Sequence, residues 1–365
     1  MVPIYKPYLP AGILDHAHNA IDSTWISSAG KYKTLAEEKL AEFLNVSPNN
    51  LFLCSNGTTA THLCAIAIKH KYPNINRILV PNNVYVAAWN AFLINPVFKI
   101  IPVKTNIQTW NIDLEDLEKK IKPNDAVLIV HNVGGIINVP KLKRKYQNTV
   151  FIEDNCEGFS GTYENLHSGT ASFCSSVSFF ANKTITSGEG GLFYCKDSEV
   201  TKHIKKVHGQ GVTSEKYVHD VLGYNYRMTN IQAALLLGQL EYYDEIIQRK
   251  KNIWSMYTKF FSRYPEIFSF QSQAPECINA KWIFALRIKN SLAEELINLL
   301  AKAGIESRPM FYPMSKHNHL KKFSLPREEN ESNILNKETI MLPSHPGLSV
   351  SEINFITKTI LGLVR

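Results

Sequence analysis

From about residue 35 to residue 200, short unbroken apolar runs alternate with stretches whose apolar residues recur at helical spacing. Residues 36–44 read as a helix and 51–54 as a strand. Residues 58–70 read as the next helix, with Ala60, Leu63, Ala67 and Ile68 near one face. Strand-like runs follow at 77–80, stopping at Pro81, and at 98–103, 126–130, 149–154, 177–180 and 192–194. Residues 85–93 and 114–121 read as helices between them. Strands this apolar are buried on both faces, so the pattern predicts an α/β fold with a mostly parallel sheet of seven strands under helices.

From Met228 the pattern changes. Residues 229–261 predict one long helix or a broken pair, with Ile231, Ala234, Leu235 and Leu240 on one face. A strand at 281–288, a helix at 292–303 ending at Gly304, a strand or loop at 308–314 and a last helix at 350–361 follow. Residues 315–332 are polar and read as loop. The expected division is a large domain over 1–245 and a smaller α+β domain over 246–365.

Composition narrows the class. At 365 residues, 44% hydrophobic and 20% charged, the chain is a folded globular protein. Its net charge of +8 raises the question of nucleic acid, but the lysines are scattered. The densest group, Lys141-Leu142-Lys143-Arg144-Lys145, reads as a solvated helix face. No nucleic-acid partner is therefore expected, and the positive field suits an anionic metabolite. The six cysteines form no CxxC pair and no zinc spacing, which predicts buried reduced thiols and no metal. No signal peptide is read, and no apolar run reaches the ~20 residues that span a membrane. The cytosol is the expected compartment.

The candidate chemistry centres on Lys183. It follows an apolar strand and a polar turn, and precedes Gly188, Gly190 and Gly191, glycines that let a ligand or backbone approach. Asp154 ends the strand before it, at the edge where open α/β sheets bind ligands. A lysine and an aspartate at neighbouring strand ends suit pyridoxal phosphate (PLP). The lysine carries the cofactor as a Schiff base, and the aspartate keeps the pyridine nitrogen protonated. Other readings stay open at this level. Lys183 could be a surface lysine, and Asp154 with Glu157 could be a two-carboxylate metal or hydrolase site. Ser55-Asn56-Gly57-Thr58-Thr59-Ala60 could open a helix onto a phosphate, or could simply cap it. Ser178 could add a hydroxyl there or be an ordinary strand serine.

Taken together, seven stretches resemble one family. They are Thr24-Trp25-Ile26-Ser27-Ser28, the segment from Ser55 to Ala60, Glu153-Asp154 with Glu157, and the segment from Ser178 to Gly191. Leu222-Gly223-Tyr224-Asn225-Tyr226-Arg227-Met228, Arg308-Pro309-Met310-Phe311-Tyr312-Pro313 and Leu342-Pro343-Ser344-His345-Pro346-Gly347-Leu348-Ser349 complete the set. They occur in the family's order across nearly the whole chain. The chain resembles the DegT/DnrJ-type PLP-dependent nucleotide-sugar aminotransferases, in particular their perosamine-synthase group.

The resemblance implies a PLP-dependent transferase of fold type I. It implies PLP bound covalently to Lys183, with pyridoxamine phosphate as the intermediate of a ping-pong cycle. Asp154 would bind the pyridine nitrogen and Glu157 would lie by the ring hydroxyl. Gly57, Thr58, Thr59 and Ser178 would hold the phosphate. Tyr85 falls where the family stacks an aromatic ring on the cofactor, though a core-packed helix aromatic fits it too. Asn225 would reach the phosphate of a partner subunit, making a homodimer with shared active sites. Trp25, Ser28, Arg308 and Tyr312 would lie near the sugar nucleotide. The implied reaction aminates a UDP-, dTDP- or GDP-linked 4-keto-6-deoxyhexose with glutamate as donor, giving a viosamine- or perosamine-type sugar for polysaccharide biosynthesis.

Three departures from the family pattern are visible. His131 stands where an aromatic is usual, Asn155-Cys156 replace small residues, and Asn82-Asn83-Val84 precede Tyr85. All three are expected near the pocket. Two rival readings are a PLP-dependent sugar dehydratase, whose relatives carry histidine in place of the lysine, and a PLP-binding regulatory protein without turnover. The lysine, the aspartate and the phosphate loop are all intact, which favours neither.

Overall fold

The computed structural model describes residues 1–364. Its centre is built from the predicted apolar strands. In chain order these begin with β1 (Leu51–Cys54), β2 (Arg77–Pro81), β3 (Lys99–Val103), β4 (Asp125–Val130) and β5 (Val150–Asp154). A short hairpin of β6 (Thr162–Tyr163) and β7 (Leu166–His167) precedes β8 (Cys174–Ser178) and β9 (Gly191–Cys195). Seven strands form one sheet in the order β1-β9-β8-β5-β4-β2-β3. Pairings from β8 to β3 are parallel, and β9 runs antiparallel between β8 and β1. The sheet is thus mostly parallel and seven-stranded, as expected.

Every residue of β4 is buried, and the reason lies on both sides of it. Ala126, Leu128 and Val130 pack with Ile78, Val80 and Ile152 on one face. Val127 and Ile129 pack with Leu79, Val103 and Phe151 on the other. Helices α1 (Asp15–Asp22), α2 (Lys31–Leu44), α3 (Gly57–Lys71), α4 (Ala87–Asn90), α5 (Leu114–Lys120), α6 (Val139–Lys145) and α7 (Ser198–His208) accompany the strands. α3 supplies Ala60, Leu63, Ala67 and Ile68 to the core on the first face. The helix expected over 85–93 shrinks to the single turn α4, where the Trp89 indole donates to the Pro81 carbonyl at 2.8 Å. α7 was not read from the sequence; its Val200, Ile204 and Val207 are buried. The basic group at 141–145 is helical with its charged residues exposed.

The segment 229–261 resolves as a broken pair. α8 (Asn230–Glu241) and α9 (Tyr243–Phe261) meet at Tyr242, whose φ of −98° and ψ of 12° end the first helix. Ala233, Ala234 and Leu237 of α8 pack with Ala36, Leu40 and Leu44 of α2. Ile253, Tyr257 and Phe261 of α9 belong to a separate core. That core covers a second sheet. Its strands come from β10 (Phe268–Ser269), then, beyond β11 (Cys277–Ile278), from β12 (Phe284–Ile288), β13 (Arg308–Pro309) and β14 (Thr339–Leu342). The order β10-β12-β14-β13 is antiparallel throughout. Helices α10 (Ala293–Lys302), α11 (Asn330–Glu338) and α12 (Val350–Val364) complete this part. The strand expected over 281–288 starts only at Phe284, because Lys281 takes a left-handed turn with φ 54°. Val2 pairs with Ile305, so the first residues cross to the C-terminal part.

The six cysteines are free; five are buried and Cys156 is half-buried. Among the described residues no helix is long and apolar enough to cross a membrane, and no group of three or more His, Cys, Asp and Glu side chains could hold a metal.

Candidate active site

Strand alternation decides which way the acids of β5 face. Phe151 belongs to one core and Ile152 to the other. Asp154 therefore shares the α3 face with Ile152, and Glu153 faces away. Asp154 is buried, and its Oδ1 accepts a hydrogen bond from the Cys156 N–H at 3.0 Å. β8 runs parallel beside it with Ser176 opposite Asp154. The Ser176 and Thr61 hydroxyls, 2.8 Å apart, tie β8 to α3. Ser178 lies two residues further along the same face.

α3 begins against Ser178. A Cβ at Gly57 would stand 2.7 Å from the Ser178 Cβ and 3.1 Å from the Cys156 sulfur, so only glycine lets the helix start this close. The first N–H groups of a helix have no acceptor inside it. Those of Gly57 and Thr58 point out of the end, while Asn56 Oδ1 accepts from the Thr59 N–H at 2.9 Å. The Thr59 hydroxyl accepts from the Asn56 N–H at 3.3 Å and donates to the Asn56 carbonyl at 2.8 Å. Thr59 is thus engaged in the cap, and the exposed Thr58 carries the free hydroxyl of this turn. The glycine-rich stretch divides by cause. A Cβ at Gly191 would lie 2.3 Å from the Asn56 carbonyl oxygen, so what comes close there is backbone. Gly188 has φ +82° with open space around it.

Lys183 emerges just beyond β8 and lines a cleft with Cys156, Glu157, Ser178 and Thr184. Its Nζ stands 4.3 Å from the centre of the Trp282 ring. The Trp282 indole donates to the Asn182 carbonyl at 2.9 Å, which fixes the ring over the lysine. Glu157 is buried, and its Oε2 accepts from the Val133 N–H at 2.7 Å. Burial pushes its carboxyl up to about 7, against the pull of Lys183 and that N–H. Val133 makes the bond from a left-handed conformation, φ 56°, unusual for a β-branched residue. Asn132 secures this turn by donating to the Asn83 carbonyl at 3.0 Å and the Trp110 carbonyl at 2.9 Å.

The departure at His131 has a different meaning from the one expected. Its ring does not enter the cleft. His131 Nδ1 accepts from the Ile137 N–H at 3.2 Å, so Nε2 carries the proton and donates to Glu153 at 2.9 Å. Glu153 also accepts from the Tyr163 hydroxyl and the Gly169 and Ser172 N–H groups. Burial alone would raise this carboxyl, but His131 and the other donors hold it below its usual range. The pair supports the strand end from the face opposite Asp154.

The remaining expected residues sit at the rim or beyond it. Tyr85 is 60% exposed, which removes the core-packing reading. Its ring lies 6.0 Å from Phe311, whose ring lies 6.5 Å from Trp282. Tyr312 is exposed next to Phe311, and Arg308 pairs with Glu306 at 2.7 Å. Trp25 is exposed and Ser28 half-buried. Asn230 pins their segment to α8 through the Trp25 carbonyl at 2.6 Å, and neither residue lines the cleft. Asn225 is exposed, with its backbone bridged to Gly209. Sequence reasoning missed Trp282 and Tyr5. Burial, with Glu157 nearby, pushes the Tyr5 phenol up to about 12, while Arg308 and a hydrogen bond to Asn182 oppose the rise. Neither lies in a motif; only the crossing of distant segments brings them here.

A profile of the DegT/DnrJ/EryC1/StrS aminotransferase family matches residues 8–361. This chain belongs to that family. It is accordingly a PLP-dependent sugar aminotransferase with the fold of type I PLP enzymes. It is similar to a GDP-perosamine synthase of Escherichia coli O157:H7, 33% identical over 98% of this chain and 97% of the relative. A GDP-perosamine synthase of Caulobacter vibrioides is 31% identical over 97% of this chain and 95% of its own length. Among solved structures, the Streptococcus pneumoniae protein Spr1654 in its PLP form shares the fold with a TM-score of 0.89. It is 21% identical and covers 100% of this chain and 98% of that one. Gly57 at the start of α3 abuts Ser178, Ser178 and Lys183 line one cleft, and Asp154 lies on the same face of the sheet as Ser178.

Proposed function

We propose that this chain transfers the amino group of glutamate to C4 of a nucleotide-linked 4-keto-6-deoxyhexose, giving a perosamine- or viosamine-type sugar for glycan assembly. The observation that carries the reading is the placing of a buried aspartate, a lysine and a capped helix N-terminus, whose Gly57 and Thr58 N–H groups stay free, around one face of the sheet. When bound, PLP supplies an electron sink that stabilises negative charge beside the transferred nitrogen. Asp154 keeps the pyridine nitrogen protonated, as a buried carboxylate suits. Lys183 is the covalent attachment point and moves the proton at the reacting carbon. The Gly57 and Thr58 N–H groups and the Ser178 hydroxyl bind the phosphate. Glu157 sits by the ring hydroxyl, and Trp282 holds Lys183 in place. Tyr85 reaches over the ring from the rim. Arg308 and Tyr312 receive the sugar nucleotide, with Trp25 and Ser28 at its far end.

The same reading includes a homodimer in the cytosol. The segment between α7 and α8 leaves Val212, Tyr217, Val218 and Leu222 exposed, an apolar surface that a second subunit would cover. Asn225 lies in that segment and would enter the partner's phosphate site. We further place the boundary between large and small domains at residues 245 and 246, early in α9. GDP is the nucleotide favoured by the names of the two relatives. A panel of GDP-, dTDP- and UDP-linked 4-keto-6-deoxyhexoses tests the proposal, with glutamate as donor and 2-oxoglutarate and aminated sugar as readouts. The GDP-linked substrate should be consumed. No amination of any panel member, by enzyme with bound cofactor, would reject the reading.

A further inference from the structure

Asn82 and Asn83 follow β2 directly, just before Tyr85, and both are buried. Their partners come from far along the chain. Asn82 Nδ2 donates to the Glu328 carbonyl at 3.0 Å. Its Oδ1 accepts from the Thr105 hydroxyl at 2.7 Å and the Ser332 hydroxyl at 2.6 Å. The Asn82 carbonyl accepts from the Met314 N–H at 3.0 Å. Asn83 Nδ2 donates to the Phe311 carbonyl, and the Asn83 carbonyl accepts from Asn132 Nδ2 at 3.0 Å. The two asparagines thus hold the chain between β13 and α11 onto the end of β2. That stretch contains only three short 3-10 turns of its own, so bonds of this kind set its place.

The two side chains differ. Both polar atoms of the Asn82 amide are bonded, as burial requires. Asn83 uses its donor alone, and its buried Oδ1 has no partner. An unpaired buried acceptor is destabilising, so stability does not account for an amide at 83. What the amide does is fix the Phe311 carbonyl. The rings of Tyr85, Phe311 and Trp282 form a row with spacings of 6.0 and 6.5 Å, and Trp282 lies against Lys183. Asn83 ties the first two members together, Tyr85 through the chain and Phe311 through its carbonyl.

We infer that Asn83 is a positioning residue for the sugar half of the reaction: by holding the Phe311 carbonyl it sets the spacing between Tyr85 and the Phe311-Tyr312 rim, while Asn82 anchors the segment behind it. The inference rests on the aminotransferase reading above. Asn83 itself touches no substrate, since its side chain is fully buried. A nucleotide sugar is long enough to be aligned by this rim and glutamate is not, so a displaced rim impairs the sugar step.

Asn83→Leu keeps a similar volume and removes both the donor and the unpaired carbonyl. Hydrogen exchange of residues 310–316 in the holoenzyme reads the hold on the segment. It should quicken by about threefold or more on loss of one buried hydrogen bond. In a ping-pong cycle, kcat/KM for each substrate reports its own half-reaction. The value for glutamate should stay within about twofold of wild type, and that for the GDP-linked 4-keto-6-deoxyhexose should fall by about tenfold or more. The thermal midpoint should stay near wild type. Asn83→Ser, which keeps a donor on a shorter arm, should recover part of the sugar step. Asn82→Ala strips the acceptor from Thr105 and Ser332 and should instead lower the thermal midpoint. If Asn83→Leu does not fold, Asn83→Ala carries the same readouts, and failure of both to fold makes residue 83 a stability residue and overturns the inference. Unchanged exchange at 310–316 overturns it too, as does an unchanged sugar step or an equal fall in both half-reactions. If the wild type takes no amino group from glutamate or aminates no sugar, the aminotransferase reading falls instead, and the exchange measurement still decides whether Asn83 holds the segment.

Discussion

At the scale of residues, Lys183 and Asp154 are separated by the test that each fails differently. Lys183→Ala removes the only amine that the described residues bring to the cleft beside Glu157 and Ser178. Glutamate-dependent turnover should vanish while circular dichroism and thermal midpoint stay near wild type; persistent turnover with bound cofactor would reject the assignment. Asp154→Asn keeps the shape and removes the charge. Its rate should fall on the order of 10²-fold or more, measured as kcat at saturating glutamate. Glu157 gives a prediction in pH. Its carboxyl is raised to about 7 in the fold, so between its unfolded range and pH 7 the native state holds more protons than the unfolded state. Stability must then fall as pH rises through that window. Glu157→Gln, which does not titrate, should remove up to about 3 kcal/mol of that fall in the apoprotein. Denaturant melts of both proteins at pH 5 and pH 7.5 measure it, and identical slopes would place the Glu157 titration elsewhere.

At the scale of elements, the first turn of α3 serves two ends at once. Asn56 and Thr59 close the cap, which leaves the N–H groups of Gly57 and Thr58 for an anion. The two functions can be pulled apart by mutation. Asn56→Ala should lower stability by about 1 kcal/mol, as for other caps. Gly57→Ala places a methyl 2.7 Å from the Ser178 Cβ, so the helix end and Ser178 must separate. Cofactor affinity should drop by at least about tenfold on equilibrium dialysis, because phosphate binding at a helix end depends on close backbone approach. Unchanged affinity would move the phosphate site away from this turn. The Ser-Asn-Gly-Thr-Thr letters announced a helix start. They could not say whether the start was a cap or a phosphate site, and the structure shows a cap with its open end facing Ser178.

At the scale of the molecule, the site lies where the large sheet, the N-terminal segment and the small sheet meet. Trp282, just before β12, reaches Lys183, and Lys250 of α9 holds the Trp282 carbonyl. The proposed dimer is tested by mixing subunits. Lys183→Ala and Asn225→Ala homodimers should each be weak or inactive. A heterodimer of the two should regain one intact site, formed by Lys183 of one chain and Asn225 of the other, with activity near half of wild type. Heterodimers confirmed by mass that recover nothing would assign Asn225 to the pocket of its own chain.

The unbroken apolar runs determined by themselves that a sheet buried on both faces would form, since strands such as β4 have no polar side to give to water. Strand ends are where such a sheet binds ligands, and the places of Asp154 at the end of β5 and Lys183 just beyond β8 were legible too. Tertiary structure alone decided the rest. The face of β5 that carries Asp154 follows from alternation, but His131 turned to Glu153 on the other face because that buried carboxylate needed its donors. Trp282, Tyr5, Lys250 and His345 reach the lysine from segments up to about 180 residues away in sequence. Only His345 lies in a stretch the sequence marked; no local pattern marks the other three, because nothing local in the chain depends on their meeting.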